Sequence, residues 1–425
     1  MLFHDITIID ENFEVREHQY VGTKGDRIAI ISDRLPIEPY GEVYDGKGKL
    51  LLPSFYNCHS HLPMALMRGY GENLPLSRWL NERIFPFEAN WTDEDMYHAC
   101  LIGAAESLRY GIGATREMYL SLPPLGKALT ESGMKALFSR CAFGFGGATY
   151  EEQPIAAANE EAREQYAGGR VRFEYSLHAE YTTNEKVVRS LAEIAKKNNC
   201  SIHVHVSETK SEVEECKARH DGKSPVRYLA DCGLFDVPTG AAHCVWVDSD
   251  DIAILKEKGV TVAANPKSNA KLASGISPVT EMLAAGVNVA IGTDSVASNN
   301  NLDMVEEMRF FNLLQKARTL DPTVISAKET LYAATRAGAL AFGLADSGLV
   351  KEGFKADLAV MDISTVNWFP VHDLLNNLIY SASGSNVVLT MVDGNTLYRD
   401  GSFSTIDVER TEFWAERARK RMLGM

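Results

Sequence analysis

Short apolar runs alternate with helical patterns from about residue 53 to about residue 346. Eight of these runs are typical of strands, and they lie at residues 54–58, 114–118, 135–141, 171–177, 202–206, 240–243, 260–264 and 289–293. The segments between them place apolar residues three and four positions apart, and Thr92 and Asn184 are predicted to cap two of these helices. This alternation favours the α/β class, with parallel strands closed into a (β/α)8 TIM barrel.

The two ends of the chain follow a different pattern. Residues 1–52 and residues 347–425 contain strand-like runs separated by glycine turns, and neither end buries much surface alone. We therefore expect the two ends to pair into one small β-sandwich beside the barrel domain, which covers residues 53–346. An exposed, amphipathic helix is predicted at about 408–422, after the last strand.

The amino-acid composition limits the kinds of binding partner and the cellular compartment that we expect. The 425 residues include 43 Lys and Arg against 57 Asp and Glu, a net charge of -14, which argues against a nucleic-acid partner. No stretch reaches membrane-spanning length, and the seven cysteines contain no Cys-x-x-Cys pair. We expect a cytoplasmic protein with free thiols and a small-molecule substrate, acting away from membranes; whether it forms a homo-oligomer is open.

Polar side chains stand where the predicted strands end. Residues two apart in a strand project to the same side, so His59 and His61 can bind one metal ion. Each polar residue alone could instead be a packed histidine or a helix cap, but catalytic groups of a (β/α)8 barrel come from the C-terminal ends of different strands. In strand order the candidates are His59, His61, Glu117, Arg140, His178, His205, His243, Asn265 and Asp294.

The motifs around these residues resemble the amidohydrolase superfamily. Within it they are most similar to the branch of adenosine, methylthioadenosine and S-adenosylhomocysteine deaminases that also contains chlorotriazine hydrolases. The resemblance covers nearly the whole chain, and the matching segments are NCHSHLPM at 57–64, RG at 68–69, HVSE at 205–208, AHCV at 242–245, NPKSNAKL at 265–272 and GTDSVASNN at 292–300.

The resemblance implies a metal site. It assigns one divalent ion to His59, His61, His205 and Asp294. Imidazole and carboxylate ligands suit zinc, which we expect, and also Fe2+ or Mn2+. Relatives with two metals carry a lysine at the end of strand four, where this chain has His178, so a single ion is expected.

The resemblance also implies the reaction, which is hydrolytic deamination of an adenine nucleoside to the inosine analogue and ammonia. Asp294 would take a proton from the attacking water, His243 would orient that water or stabilise its oxygen, and Glu208 would protonate the purine ring and the departing amine. In the nucleoside branch the substrate pocket is lined by residues matching Trp79, Glu88, Arg140, His178, Glu208 and His243. Glu88 would bind the ribose hydroxyls, and Trp79 would contact the 5′ substituent.

Several substrates and two other functions remain open at this point. The candidates are adenosine, 5′-deoxyadenosine, 5′-methylthioadenosine and S-adenosylhomocysteine. Residues 143–152 contain no arginine for a carboxylate, and Glu180 is expected to add negative charge near the entrance, so the last of the four should be disfavoured. The alternatives are a deaminase of a free purine, pterin or triazine, and a non-catalytic binding protein on the same fold.

Overall fold

The N-terminal segment forms one part of a β-sheet. The structure is a computed structural model, and it describes residues 1–144 and 147–424. The first strands are β1 (Leu2–Ile9), β2 (Val15–Lys24), β3 (Arg27–Ser32), β4 (Val43–Asp45) and β5 (Lys49–Pro53). Strand β1 pairs antiparallel with β2 and parallel with both β4 and β5.

The middle of the chain forms the predicted barrel. Its strands are β6 (Phe55–His61), β7 (Ile112–Tyr119), β8 (Lys135–Ala142), β9 (Val171–Phe173), β10 (Tyr175–Leu177), β11 (Ile202–Val206), β12 (Thr239–His243), β13 (Thr261–Ala264), β14 (Asn288–Ile291) and β15 (Asp294–Ser295). All the pairings are parallel. Because β14 pairs with β13 while β15, two residues later, pairs with β6, the chain itself closes the sheet. The expectation of a TIM-type barrel is confirmed.

Helices connect these strands and cover the barrel. Thr92 and Asn184 cap two of them as predicted, each accepting a hydrogen bond from a backbone N–H in the first turn. Among the described residues, no helix is long and apolar enough to cross a membrane. The helices are α1 (Leu76–Trp79), α2 (Phe85–Glu88), α3 (Asp93–Arg109), α4 (Leu122–Ser132), α5 (Ile155–Gln165), α6 (Glu185–Lys197), α7 (Lys210–Arg219), α8 (Pro225–Asp231), α9 (Ser249–Glu257), α10 (Pro266–Lys271), α11 (Val279–Ala284), α12 (Val296–Asn299), α13 (Met304–Thr319), α14 (Ala327–Ala334) and α15 (Arg336–Ala341).

The C-terminal segment completes the N-terminal sheet. It contains β16 (Leu358–Asp362), α16 (Leu374–Tyr380), β17 (Val387–Val392), β18 (Asn395–Arg399), β19 (Ser402–Phe403) and α17 (Val408–Met422). Strand β16 pairs antiparallel with β5, which gives the order β19-β18-β17-β16-β5-β1-β2-β3, with β4 beside β1. The two ends therefore pair with each other as expected. Where the sequence predicts a small β-sandwich, they form one continuous set of hydrogen-bonded strands.

Alternation along the joining strands divides the apolar residues between two cores. Leu51 and Val360 are buried in a cluster formed only by the two ends of the chain. Their neighbours Leu50, Leu52 and Met361 belong to the main core, which also contains the barrel helices. The sheet thus has a core of its own on one face and joins the barrel through the other, as a strand periodicity of two residues requires.

Candidate functional site

Four histidines and one aspartate from distant segments converge at the C-terminal end of the barrel. His59 and His61 lie on β6, His205 on β11, His243 at the end of β12, and Asp294 on β15. The Oδ1 atom of Asp294 lies 3.4 Å from His61 Nε2 and 3.6 Å from His59 Nε2, and His61 Nε2 lies 3.4 Å from His205 Nε2. Two overlapping triplets, His59 with His61 and His205, and His59 with His243 and Asp294, keep their ligand atoms within 4.8 Å of one another.

Backbone carbonyls orient two of these rings. The Nδ1–H of His61 donates to the carbonyl oxygen of Met118 at 2.6 Å, and the Nδ1–H of His205 donates to that of His178 at 2.7 Å. A proton on Nδ1 leaves the lone pair of Nε2 free in a neutral imidazole, and Nε2 is the atom that faces the centre. The barrel backbone therefore sets the tautomer of both rings.

A third ring is held by another histidine. His59 Nδ1 shares a hydrogen bond of 2.8 Å with His203 Nε2, and both side chains are fully buried. Behind His203 lies a buried ion pair between Arg116 and Glu174. His203 lies on the same side of β11 as His205 and supports His59 from behind the converging residues.

The carboxylate of Asp294 is fixed from its outer side. Its Oδ2 accepts hydrogen bonds from Ser268 Oγ at 2.6 Å and from Ser298 Oγ at 3.1 Å. Its Oδ1 accepts from the backbone N–H of Ser295 at 2.7 Å and faces the histidines. Asp294 has a φ of 59°, in the left-handed region that non-glycine residues seldom occupy, which is common where a site fixes the backbone.

The protonation states suit a metal ion. Burial lowers the pKa of His59 to about 3 and that of His178 to about 4, and it also lowers the pKa values of His61 and His205. Burial opposes ionisation of Asp294, but the surrounding imidazoles, His59 before His243 and His61, keep its pKa well below the usual value. Neutral imidazoles and an ionised carboxylate are the forms that bind divalent metals.

One buried atom shows directly that the centre fits a cation. His59 Nε2 is inaccessible to solvent and has no hydrogen-bond partner within the described part of the chain. A buried, unpartnered acceptor is costly, and a metal ion at this point would give it a ligand bond. The donor set around it matches the residues that the sequence singled out.

His243 and Glu208 face each other beside this centre. His243 Nδ1–H donates to Asn269 Oδ1 at 2.8 Å, which leaves its Nε2 3.8 Å from Glu208 Oε2. Burial raises the pKa of Glu208, and Ser274 Oγ lies 3.4 Å from its Oε1. Burial lowers the pKa of His243, but the charges of Glu208 and Asp294 outweigh that effect and raise it overall. Both groups therefore keep their protons to a higher pH than the same side chains do in water.

A cavity of about 100 Å³ opens from the centre, and its wall contains most of the predicted substrate residues. These are Trp79, Glu88, His178, Glu208 and His243. The sixth predicted residue, Arg140, is not among those that line this cavity within the described chain, whereas Cys141 is. Because neighbouring residues of strand β8 point to opposite sides, the wall position goes to Cys141.

Tyr119 is a wall residue that the sequence analysis missed. It ends strand β7, and its O–H donates to Glu88 Oε1 at 2.6 Å. Burial raises the pKa of Glu88 to about 7, although the hydrogen bond from Tyr119 opposes this. The only signal in the sequence was its place at a strand end, two residues after the polar residue Glu117.

Glu180 does not have the role expected from the sequence, which was to add negative charge near the entrance of the cavity. Its side chain is 2% exposed, and its two oxygens are taken by Arg219 Nη2 at 2.6 Å and His220 Nε2 at 2.7 Å. Glu180 therefore adds no free negative charge at the entrance. Of the loop 143–152, Phe145 and Gly146 lie outside the described residues.

Comparison with known proteins identifies the family. The sequence profile of the amidohydrolase family matches residues 50–397. The chain belongs to the amidohydrolase family.

Several relatives of this amidohydrolase are nucleoside deaminases. A 5-methylthioadenosine/S-adenosylhomocysteine deaminase from Dictyoglomus thermophilum is 40% identical over 417 residues, 98% of this chain and 97% of the relative. A 5′-deoxyadenosine deaminase from Methanothermobacter thermautotrophicus is 38% identical, over 94% and 93% of the two chains. The crystal structure of an adenosine deaminase from Xanthomonas campestris with bound zinc superposes with a TM-score of 0.94 at 29% identity, covering 100% of this chain and 98% of that one.

Proposed function

We propose that this amidohydrolase hydrolyses the exocyclic amine of an adenine nucleoside, giving the inosine analogue and ammonia. The observation that carries the proposal is the convergence of His59, His61, His205 and Asp294 at the base of a cavity whose wall also contains Glu208 and His243. The names of relatives that match almost the whole chain support the substrate class.

We propose one Zn2+ ion as the resident metal, held by His59, His61, His205 and Asp294. These ligand types suit zinc, and the similar adenosine deaminase contains zinc. At the end of strand four the chain has His178, hydrogen-bonded to Thr182 Oγ1 at 3.0 Å, in place of the lysine of relatives with two metals, which favours a single ion. The ion would supply the activation of water at neutral pH.

Two side chains would move the protons of this hydrolysis, and a third would hold the attacking water. The oxygen of the attacking water bonds to C6 of the purine while Asp294 takes one proton from that water. Glu208 protonates the ring nitrogen N1. When the C6–N bond breaks, the C6 hydroxyl gives its proton through Glu208 to the amine, which leaves as ammonia while C6 becomes a carbonyl. The proton held by Asp294 then returns to Glu208. His243, fixed by Asn269, holds the water oxygen in place through Nε2. The raised pKa of Glu208 supports its role as a proton donor.

The ribose would bind at the wall formed by Trp79 and Glu88. Tyr119 occupies one oxygen of the Glu88 carboxylate and so turns the other toward the cavity, where it can accept from the ribose hydroxyls. Trp79, 6% exposed, offers an apolar face to the 5′ substituent. This arrangement favours a nucleoside over a free base.

Among nucleosides we propose a preference for adenosine, 5′-deoxyadenosine and 5′-methylthioadenosine over S-adenosylhomocysteine. The outer part of the cleft contains Lys210 and Lys271, but Lys271 is engaged by Glu72 at 2.9 Å and Lys210 lies 3.5 Å from Glu214. No arginine follows strand three to bind a carboxylate tail. The preference rests on this missing cation and not on Glu180, which is already neutralised.

Ammonia release from zinc-loaded protein tests the function. We expect turnover of the four adenine nucleosides, with the lowest kcat/KM for S-adenosylhomocysteine, and no turnover of guanine, pterins or triazines. Zinc content should be one ion per chain by elemental analysis. Turnover of a free base alone would replace the nucleoside by that base, and a fully loaded protein that is inert toward all these compounds would favour the binding-protein alternative.

A further inference from the structure

The segment that carries Glu208 has no regular structure of its own. Residues 207–209 connect β11 to α7, and Ser207 has a φ of 53°, in the left-handed region that is strained for a serine. Ser207 is nonetheless fully buried, and Glu208 is only 6% exposed. Something outside the loop backbone must fix this conformation, because the strain would otherwise be released.

The side chain of Glu212 binds this segment through three successive amides. Its Oε1 accepts from the backbone N–H of Ser207 at 2.8 Å, and its Oε2 accepts from those of Glu208 at 2.7 Å and Thr209 at 3.4 Å. Glu212 lies in the first turn of α7 and is 5% exposed. A buried carboxylate with amide donors on both oxygens is a strong, oriented contact.

These bonds go beyond ordinary helix capping. In a capping box the acidic residue at the third helical position accepts from the backbone N–H of the capping residue. Glu329 does this in α14, where Oε2 accepts from Ser326 N–H at 2.8 Å. In α7 the corresponding bond, to Thr209, is the longest of the three, and the two short ones reach residues that precede the cap.

We propose that Glu212 is a positioning residue for the deamination, which holds the backbone of Glu208 so that its carboxyl group faces the substrate and His243. The proposal rests on the role of Glu208 in the proposed function. Glu212 does not line the inner cavity and borders only the outer cleft. Both of its carboxylate oxygens are bound to backbone amides of the loop, so it acts through Glu208 and not on the reacting part of the substrate. Movement of a proton donor by about 1 Å is enough to slow a reaction by up to about 100-fold.

Glu212→Gln tests the proposal, with Glu329→Gln as the matched control. The amide has one acceptor oxygen, so its NH2 group would face a backbone N–H and one of the two short bonds would be lost. We expect kcat to fall about 10- to 100-fold while KM and zinc content change less than about threefold. Glu329→Gln makes the same exchange in the exposed capping box of α14, where a single oxygen accepts and glutamine keeps an acceptor, so kcat should stay within about twofold of the wild type.

Amide hydrogen exchange supplies a readout that is independent of turnover. Peptides that cover residues 206–209 should exchange faster in Glu212→Gln than in the wild type, and Glu329→Gln should leave them unchanged. If Glu212→Gln does not fold, Glu212→Asp gives the same comparison. Aspartate keeps the charge, but its side chain is one methylene shorter and its carboxylate lies farther from the loop amides. Unchanged kcat with unchanged exchange would overturn the proposal, and so would an equal loss of kcat in the control.

Ammonia release by the wild type distinguishes a failure of this proposal from a failure of the proposed function. If the wild type releases ammonia and Glu212→Gln is equally active, only the role of Glu212 is wrong. If the wild type is inert on every nucleoside, the proposed function is wrong, and the catalytic role of Glu212 is withdrawn with it.

Discussion

The histidines at the strand ends and the wall that carries Trp79 and Glu88 are held in place by different means. Each imidazole is tied through Nδ1 to a carbonyl or to a side chain of the barrel, and Asp294 accepts three hydrogen bonds. The wall is a short helical segment with a π-helical turn at Leu80–Ile84, and Tyr119 is the side chain that binds Glu88. The first region is rigid by hydrogen bonding, whereas the second depends mainly on apolar packing.

Because the two regions are held differently, the residues that carry out the reaction are structurally separate from those that select the substrate. Residues on strands of a closed sheet cannot move independently, so the reacting groups keep their geometry. A short segment over the cavity can change its side chains without disturbing the strands. Relatives with different named substrates on one fold are consistent with such a division.

The largest effect should come from Asp294, because it is both a proposed ligand and the proposed base. Asp294→Asn keeps the size of the side chain but removes the charge, and kcat should fall by at least about 1,000-fold. Ser298→Ala is the matched control, since it removes one of the three hydrogen bonds to the carboxylate and should cost less than about tenfold. Steady-state ammonia release measures both, and equal losses would show that orientation and not charge is decisive.

Removing the histidine behind His59 should weaken metal binding. His203→Asn withdraws the partner of His59 Nδ1, and we expect zinc affinity to fall about 10- to 100-fold in competition with a chelator. His98 is also buried but lies on α3 against Trp414, so His98→Asn should not change zinc affinity. An unchanged affinity in His203→Asn would mean that the strand alone orients His59.

The wall should affect substrate binding more than turnover. Glu88→Gln is expected to raise KM for an adenine nucleoside about tenfold, because hydrogen bonds from ribose to a charged acceptor are lost. Any turnover of a free base should be unaffected. Glu82→Gln changes an exposed carboxylate on the same segment, paired with Arg78, and serves as the control. A fall in kcat without a change in KM would place Glu88 with the reacting groups instead.

The smallest effect is a dependence of KM and of folding stability on pH, which arises from Glu88 in the same wall. Burial raises the pKa of Glu88 to about 7, and the ionised form is the acceptor, so KM should fall as the pH rises through about 7. The sign for folding is opposite: a raised folded-state pKa gives stability that is complete below the usual value of 4.5 and is lost as the pH rises through about 7. Glu88→Gln should remove both trends, as measured by kinetics and by chemical denaturation across pH.

Local sequence pattern predicted much of the fold. The strand expected at 202–206 is β11, and the helix expected at 408–422 is α17, with the same bounds. The strand expected at 171–177 is broken at Glu174, whose carboxylate pairs with the buried Arg116. That interruption depends on a residue 58 positions away, which no local periodicity contains.

The candidate site was predictable to the extent that strand ends place side chains. His59, His61, His205, His243 and Asp294 were all found in this way and do lie together. Arg140 and Glu180 also stand near strand ends, but the structure puts Arg140 away from the cavity wall and binds Glu180 to Arg219 and His220. The place of Glu180 depends on Arg219 and His220 from another segment. That of Arg140 follows from the alternation along β8, which gives the wall position to Cys141.

The sequence by itself determined the barrel, the joint sheet of the two ends and the set of polar residues at the strand ends, because hydrophobic periodicity and residue type are local properties. Only the tertiary structure decided which oxygen of Glu88 is free, which amides Glu212 binds and which ring nitrogen each histidine turns to the centre. These are contacts between segments far apart in the chain, and burial makes them specific because an unsatisfied polar group there is costly.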